Sequence, residues 1–565
     1  MAIQTSSINK PSLLSQIFKR KNLDEILAAS ENAEHKLKKT LTAFDLVIFG
    51  VGAMIGAGIF VLTGSAAAGS AGHLAAGPAL TLSFVLTGLV CSFCALAYAE
   101  FASMVPISGS AYTYTYSTMG QMMAWVIGWA LVLAYAVGNM AVAVGWTGHV
   151  KEFLLETFGY TLPAAITSNT VDIAFSTAEI QNPDLLVNQL HFNILGTDIF
   201  LLINAAFNIP AFIIVLAVTA LLYVGVQESA RSAAIMVFVK TAVVLMFIAV
   251  GGFFLFGNGF APLKLNWFQN GMDTFAPNGW GGIITGASTI FFAYIGFDAV
   301  STAAEETKNP QRDIPIGILG SLAICTLLYI LVTAVITAIV PLDQINREAA
   351  VSGTMSFVGM SWASMLINIG AIAGLTSVLL VLQMGATRIF FAISRDNLLP
   401  APLAKIHPKF QTPTICTVVI GGFVAVFAAL LPIHLLAEMC NIGTLGAFIV
   451  VSLGVIMLRY TDADRQRPFR CPGGIVLPAI GVVGCAYIAS GLPSITWALF
   501  VGWFALGMVI YFAYGLPNSI KAQQAAIPAR TGQPIAGLQE RGSGGTIQVP
   551  LVGQPTESSE PVGTK

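Results

Sequence analysis

The groups best placed to do chemistry in this sequence belong to the backbone. Gly50, Gly52, Gly56 and Gly58 fall within the stretch GVGAMIGAGIF, residues 50–60. Each glycine costs a helix up to about 1 kcal/mol relative to alanine. A helix interrupted at Gly56-Ala57-Gly58 exposes the first N–H groups of its second half, and that electropositive end suits a carboxylate. A second interruption is expected in FFAYIGFDAVSTAAEE, residues 291–306, where Gly296 and Asp298 stand inside an apolar run. Freed carbonyls near Ile55, and across Phe292, Ala293, Tyr294 and Ile295, would accept bonds from an ammonium. A ligand carrying both groups close together is an α-amino acid. Close helix packing through GxxxG is the competing explanation, and Gly52 and Gly56 have that spacing. The matching break in the second run favours a binding site.

Lys240 is the other unusual group, about seven residues into the run AIMVFVKTAVVLMFIAV. A charge at that depth costs at least about 2.5 kcal/mol on insertion scales. Snorkelling would require a reach of roughly 10 Å at the helical rise. The alternative is an ammonium bonded to freed carbonyls of the first broken run and to hydroxyls such as Thr376 or Ser377. Such a site would otherwise suit Na⁺, and burial lowers a lysine pKa, so proton coupling is expected. Gln383 is a candidate for lining a cavity, and Phe292 and Tyr294 for touching a substrate side chain. Asp298 is expected to steady its broken helix. Glu100, Glu305 and Glu306 are expected at the inner surface and Glu438 near an outer helix end, all structural or gating.

These residues need long apolar elements to hold them. The chain has 565 residues, 56% hydrophobic and 9% charged, against about 25% charged in soluble chains. Its mean hydropathy is +0.79. Twelve runs are long enough to span a bilayer: 43–68, 79–104, 122–153, 202–226, 233–256, 283–303, 315–340, 361–393, 413–431, 435–458, 474–493 and 495–514. The expected class is an all-α polytopic membrane protein. Its expected parts are a cytoplasmic segment at 1–41, a transmembrane domain at 42–515 and a disordered cytoplasmic tail at 516–565. The breaks fall in runs one and six, five spans apart, as in a five-plus-five inverted repeat with two further helices. With both termini inside, 22 of the 26 Lys and Arg residues face the cytoplasm, as the positive-inside rule requires. The loop from about 156 to 200 has no Lys or Arg and carries only acidic charges.

Several function classes are disfavoured. Cys91 and Cys94 form a CxxC among apolar residues, which reads as helix packing. The six histidines show no metal-ligand spacing, so no metal site and no cofactor are expected. No nucleophile–base pair marks an enzyme, and no apolar core with a cleavage site marks a leader peptide. The basic residues follow orientation and do not suggest nucleic acid, although the N-terminal ones can meet anionic lipid.

Four stretches together resemble a known family: GVGAMIGAGIFVLTG, FFAYIGFDAVSTAAEETKNPQRDIPIGI, TRIFFAISRDNLLP and NIGTLGAFIVV. They are similar to bacterial amino acid permeases of the amino acid–polyamine–organocation superfamily, in the branch related to cationic amino acid transporters. The resemblance covers about 40 to 515. It implies a LeuT-type inverted-repeat fold and proton-coupled amino acid uptake across the plasma membrane (the inner membrane of a Gram-negative cell). It puts the substrate carboxylate at Gly56, Ala57 and Gly58, the amino group near Ile55, Phe292 and Ile295, and Lys240 in the sodium position. Relatives often have threonine where this chain has Ala57. They also carry acidic residues in the third span where this chain has Gln121, Ala130 and Ala134, which argues against a cationic substrate. The expectation is therefore a proton-coupled importer of a neutral amino acid. An exchanger of amino acids or polyamines and a cationic amino acid transporter are the alternatives, with a sensor more remote. Whether an accessory subunit takes part is left open.

Overall fold

Thr42 and Asp45 start the first apolar helix. The Thr42 N–H donates to Asp45 Oδ2 at 2.8 Å and the Asp45 N–H to Thr42 Oγ1 at 3.4 Å, a reciprocal capping box. Helix α1 then runs over Ala43–Met54 and stops at the glycines. Ile55 is extended (φ −71°, ψ 100°), and the chain resumes as a π turn, Gly58–Leu62, that leads into α2, Thr63–Ala68. The two halves are bent 42° apart.

The computed structural model describes residues 20, 39–69, 73–104, 110–174, 183–194, 197–225, 230–410 and 412–522. Most of the expected N-terminal segment and tail lie outside them. Residues up to Ser519 form one compact unit, and 520–565 form a second, of which 520–522 are described as helix. The first unit continues through α3 (Leu80–Met104), α4 (Ser110–Thr118), α5 (Gln121–Phe158), α6 (Ile209–Val224) and α7 (Ala230–Gly257). There follow α8 (Gly279–Ile290), α9 (Pro310–Ile339), α10 (Ser361–Arg395), α11 (Thr414–Leu430), α12 (Ile433–Thr461), α13 (Val476–Ala489) and α14 (Ser494–Ile510). Among the described residues, eight helices are long and apolar enough to cross a membrane, and the bent pair makes nine. Three shorter apolar helices, α6, α11 and α13, occupy the remaining expected runs. The chain is thus a mostly helical, multi-pass membrane protein.

One feature departs from the all-α expectation. The acidic loop after α5 contains a three-stranded antiparallel sheet, β1 (Val171–Ala174), β2 (Leu186–Ile194) and β3 (Thr197–Asn204), in the order β1-β3-β2. β2 and β3 form a hairpin whose register runs from Ile194 opposite Thr197 to Leu186 opposite Asn204. LVNQLHFNI alternates apolar and polar with the period of a strand, a signal that counting charges in the loop passes over. The fourth apolar run consequently starts later than 202. Asn208 caps α6 by accepting from the Ala211 N–H at 3.1 Å.

The 38-residue α5 is the central post, packed against α10 and α12. α9 packs on α1 and α3, and α7 lies against α1, α9 and α10. The end of the bundle where α1 begins is here termed basal, and the end bearing the sheet distal. All seven cysteines are free and buried. Cys94 packs against Cys485 of α13 with sulfurs 3.4 Å apart, as a packing role requires.

Candidate functional site

The second break matches the first. α8 ends at Ile290, a 3-10 turn covers Phe291–Tyr294, Ile295 is extended, and a 3-10 segment resumes at Asp298–Glu306. The two breaks press backbone against backbone. A Cβ on Gly58 would lie 2.3 Å from Ala293 Cα, so only glycine fits. Gly296 has φ +126°, and a Cβ there would lie 2.9 Å from the Ala53 carbonyl carbon. Asp298 holds this arrangement: Oδ1 accepts from the Gly296 N–H at 3.2 Å and Oδ2 from the Tyr135 hydroxyl of α5 at 2.9 Å. Its expected steadying role has a visible geometry.

A residue that sequence reasoning missed joins the breaks from behind. The Tyr329 hydroxyl of α9 lies 2.8 Å from the Met54 carbonyl oxygen and 3.0 Å from that of Ala293. Its single proton can go to either. An aromatic inside an apolar run gives no cue to such a role.

A small cavity of about 20 Å³ sits between the breaks, room for about one water. Gly56, Ala57, Gly58, Phe292 and Ile295 of the two breaks line it. No side chain caps the N-terminus of the Gly58–Leu62 turn, an electropositive end that suits a carboxylate. Gly138 of α5, Val378 and Leu382 of α10 and Cys440 of α12 complete its wall, and none of these residues is charged. Of the remaining expected contacts, Ala293 supplies the backbone under Gly58, while Tyr294 turns away and donates to the Phe84 carbonyl at 2.8 Å. Gln383 is fully buried elsewhere: its Oε1 accepts from Asn139 at 3.1 Å and its Nε2 donates to Thr219 at 2.6 Å.

Lys240 is wholly buried. Its ammonium donates to the Gly52 carbonyl of α1 and lies 3.5 Å from Ser377 Oγ. Gly374 makes room for the stem, since a Cβ there would be 3.3 Å from Lys240 Cβ. Thr376 is engaged differently, accepting from the Trp146 indole at 3.1 Å and donating to the Ile372 carbonyl at 2.8 Å. Of the two hydroxyls named from sequence, Ser377 alone is brought to the lysine by these bonds.

Polar contacts flank the site on both sides. On the distal side lies a cavity of about 430 Å³, walled in part by Leu62, Thr289, Glu438 and Asn441. There Asn441 donates to the Ser288 and Thr289 carbonyls at 2.7 and 3.2 Å, pinning α12 to α8. One turn away, Glu438 pairs with His73 at 2.6 Å and accepts from Thr496. On the basal side Glu100, fully buried, is bonded by Arg459 at 2.5 Å and by the Cys471 N–H at 2.7 Å, with Arg467 at 3.4 Å. Burial, with the Glu100 carboxylate beside it, pushes the Cys471 thiol up to about 11. Tyr112 of α4 donates to Asp396 at 2.6 Å, and burial together with that carboxylate raises its hydroxyl well above its usual pKa.

A helical bundle with a small cavity at two facing helix breaks, and a buried ammonium tied to one of them, is the architecture of a membrane transporter rather than an enzyme. Residues 41–524 match the family profile described as amino acid permease. The chain belongs to that family, within the amino acid–polyamine–organocation superfamily. It is 43% identical over 504 residues to a branched-chain amino acid permease of Bacillus subtilis, covering 89% of this chain and 98% of the relative. A methylthioribose transporter of Bacillus subtilis is 40% identical over 507 residues, covering 90% and 99%. A vacuolar cationic amino acid transporter 4 of Arabidopsis thaliana is 36% identical over 453 residues, covering 80% and 68%.

Proposed function

We propose that this permease is a proton-coupled symporter that imports a neutral, apolar amino acid by alternating access. The observation that carries the reading is the uncharged cavity between the breaks. The Gly58–Leu62 turn that starts beside it has no side-chain cap, so its electropositive end suits a carboxylate, and the rest of the wall, Gly138, Val378, Leu382 and Cys440, is uncharged. Among the residues lining it no carboxylate is available to pair a cationic side chain, which disfavours arginine and lysine. Asp298, the nearby acid, is already engaged by Tyr135 and Gly296.

Proton coupling rests on Lys240. With its ammonium on the Gly52 carbonyl it steadies α1 next to the break. Losing the proton would weaken that charge-assisted tie and make the basal half of the broken helix easier to move. The twelve-span count, the five-plus-five repeat with two added helices, and basal termini in the cytoplasm of a plasma membrane belong to the same reading. The relative named as a methylthioribose transporter makes a neutral thioether sugar the second candidate substrate.

The test is uptake of labelled leucine by the purified protein in liposomes under an inward proton gradient, with unlabelled arginine, alanine or methylthioribose as competitors. Gradient-driven uptake competed by alanine but not by arginine is expected. Uptake that ignores the gradient and needs preloaded amino acid would make the protein an exchanger. Strong competition by arginine would overturn the neutral pocket.

A further inference from the structure

A buried polar network lies in the distal half of the bundle, around His149 of α5. His149 is fully buried, as are its neighbours Asn368 and Ser364 of α10. Glu156, two turns further along α5, accepts from Ser364 at 2.6 Å, from Ser356, and from the Asn368 amide nitrogen at 3.1 Å. A carboxylate only accepts, so Asn368 must turn its NH₂ to Glu156 and its carbonyl to His149. That carbonyl lies 2.9 Å from His149 Nδ1, so Nδ1 carries a hydrogen. In the neutral ring Nε2 is then a bare acceptor, and it has no hydrogen-bond partner. A buried acceptor left in this way is destabilising by about 1–3 kcal/mol. The Phe60 ring meets the imidazole edge-on at 6.1 Å, and the Phe60 backbone carbonyl lies beside it. Phe60 belongs to the Gly58–Leu62 turn that opens the distal half of the first broken helix.

We propose that His149 is a proton-binding site whose charged form ties α5 to this half-helix, with Nδ1–H on Asn368 and Nε2–H on the Phe60 carbonyl. Glu156, only half-buried, supplies the compensating charge through Asn368 and the route from the distal surface. The other charged groups around the ring are accounted for. On α5, Lys151 pairs with Glu348 at 2.9 Å and Glu152 accepts from Asn346 at 2.8 Å. From the loop before the short helix Ala350–Phe357, Glu348 pairs with Lys151, while Arg347 lines the distal cavity. Phe60, Asn368 and Ser364, which the first broken helix and α10 present to this network, carry no charge. Proton binding here stabilises the distal half of the first helix, whereas Lys240 acts on its basal half. In this form the proposal rests on the transport reading above.

Magic-angle NMR of histidine-labelled wild-type protein in liposomes, with His149→Gln to assign the ring, reads the site directly. As the pH is raised, the His149 ring is expected to pass from imidazolium to the Nδ1–H tautomer. The midpoint should move when leucine is added. In uptake assays His149→Gln should flatten the dependence on distal pH from roughly tenfold to under about twofold. Asn368→Asp, which puts a carboxylate directly on Nδ1–H, should move the profile up by about one pH unit. A ring that stays neutral throughout, or a His149→Gln protein with the wild-type pH profile, overturns the proposal. A wild type that takes up no amino acid while His149 still titrates removes the transport reading and leaves the proton site standing.

Discussion

Gly58→Ala tests the central geometry. The added methyl would lie 2.3 Å from Ala293 Cα and 2.5 Å from its Cβ, about 1.1 Å short of ordinary contact at 3.4 Å. Both partners are backbone or bound directly to it, so no flexible side chain can yield and the breaks must separate by roughly that distance. A hydrogen bond of about 2.9 Å stretched by 1 Å is no longer one. Bonds from backbone N–H to a carboxylate contribute about 1.5–3 kcal/mol each. Losing two is worth about 3–6 kcal/mol, or roughly a hundredfold to ten-thousandfold in affinity. Overpacking itself costs the fold about 1–3 kcal/mol, so the thermal melt of the detergent-solubilised variant must be read beside its leucine KM. Gly252→Ala is the control, because a Cβ on Gly252 meets nothing within 4 Å. It should leave transport unchanged and stabilise α7 slightly. A folded Gly58→Ala protein with a KM within about threefold of wild type would refute the idea that these N–H groups hold the substrate.

Other perturbations probe the surrounding parts. Tyr329→Phe removes the hydroxyl shared by the Met54 and Ala293 carbonyls; a loss of about 1–3 kcal/mol and slower uptake are expected, and an unchanged melt and rate would count against a bridging role. Lys240→Met should abolish accumulation driven by the proton gradient while exchange of labelled for unlabelled leucine persists; continued gradient-driven accumulation would place the coupling elsewhere. In Gly138→Ala the new methyl would lie 3.0 Å from Cys440 Sγ, so leucine uptake should fall relative to alanine by about tenfold or more, measured by competition. Glu100→Gln leaves Arg459 and Arg467 buried without their carboxylate, and the melt should drop by the equivalent of about 3–5 kcal/mol.

What could be read ahead of the structure divides along a physical line. Glycines at 56, 58 and 296 and a lysine at 240 are unfavourable in any apolar helix, whatever surrounds them, so their residue types alone mark the place. The residues that complete the site are unremarkable until a partner is known. Tyr329 acts only because two broken helices end beneath it, and Asn441 only because α8 exposes carbonyls at Ser288 and Thr289. Gln383 misleads for the converse reason. A polar group in mid-span requires a partner but does not say which, and Asn139 and Thr219 satisfy it away from the cavity. His149 carries no such mark, because its chemistry depends on an amide orientation fixed by a carboxylate 212 residues away from Asn368 in sequence. A group that costs free energy everywhere in lipid announces a site, and a group whose cost is set by its neighbours shows its role only once the fold has assembled them.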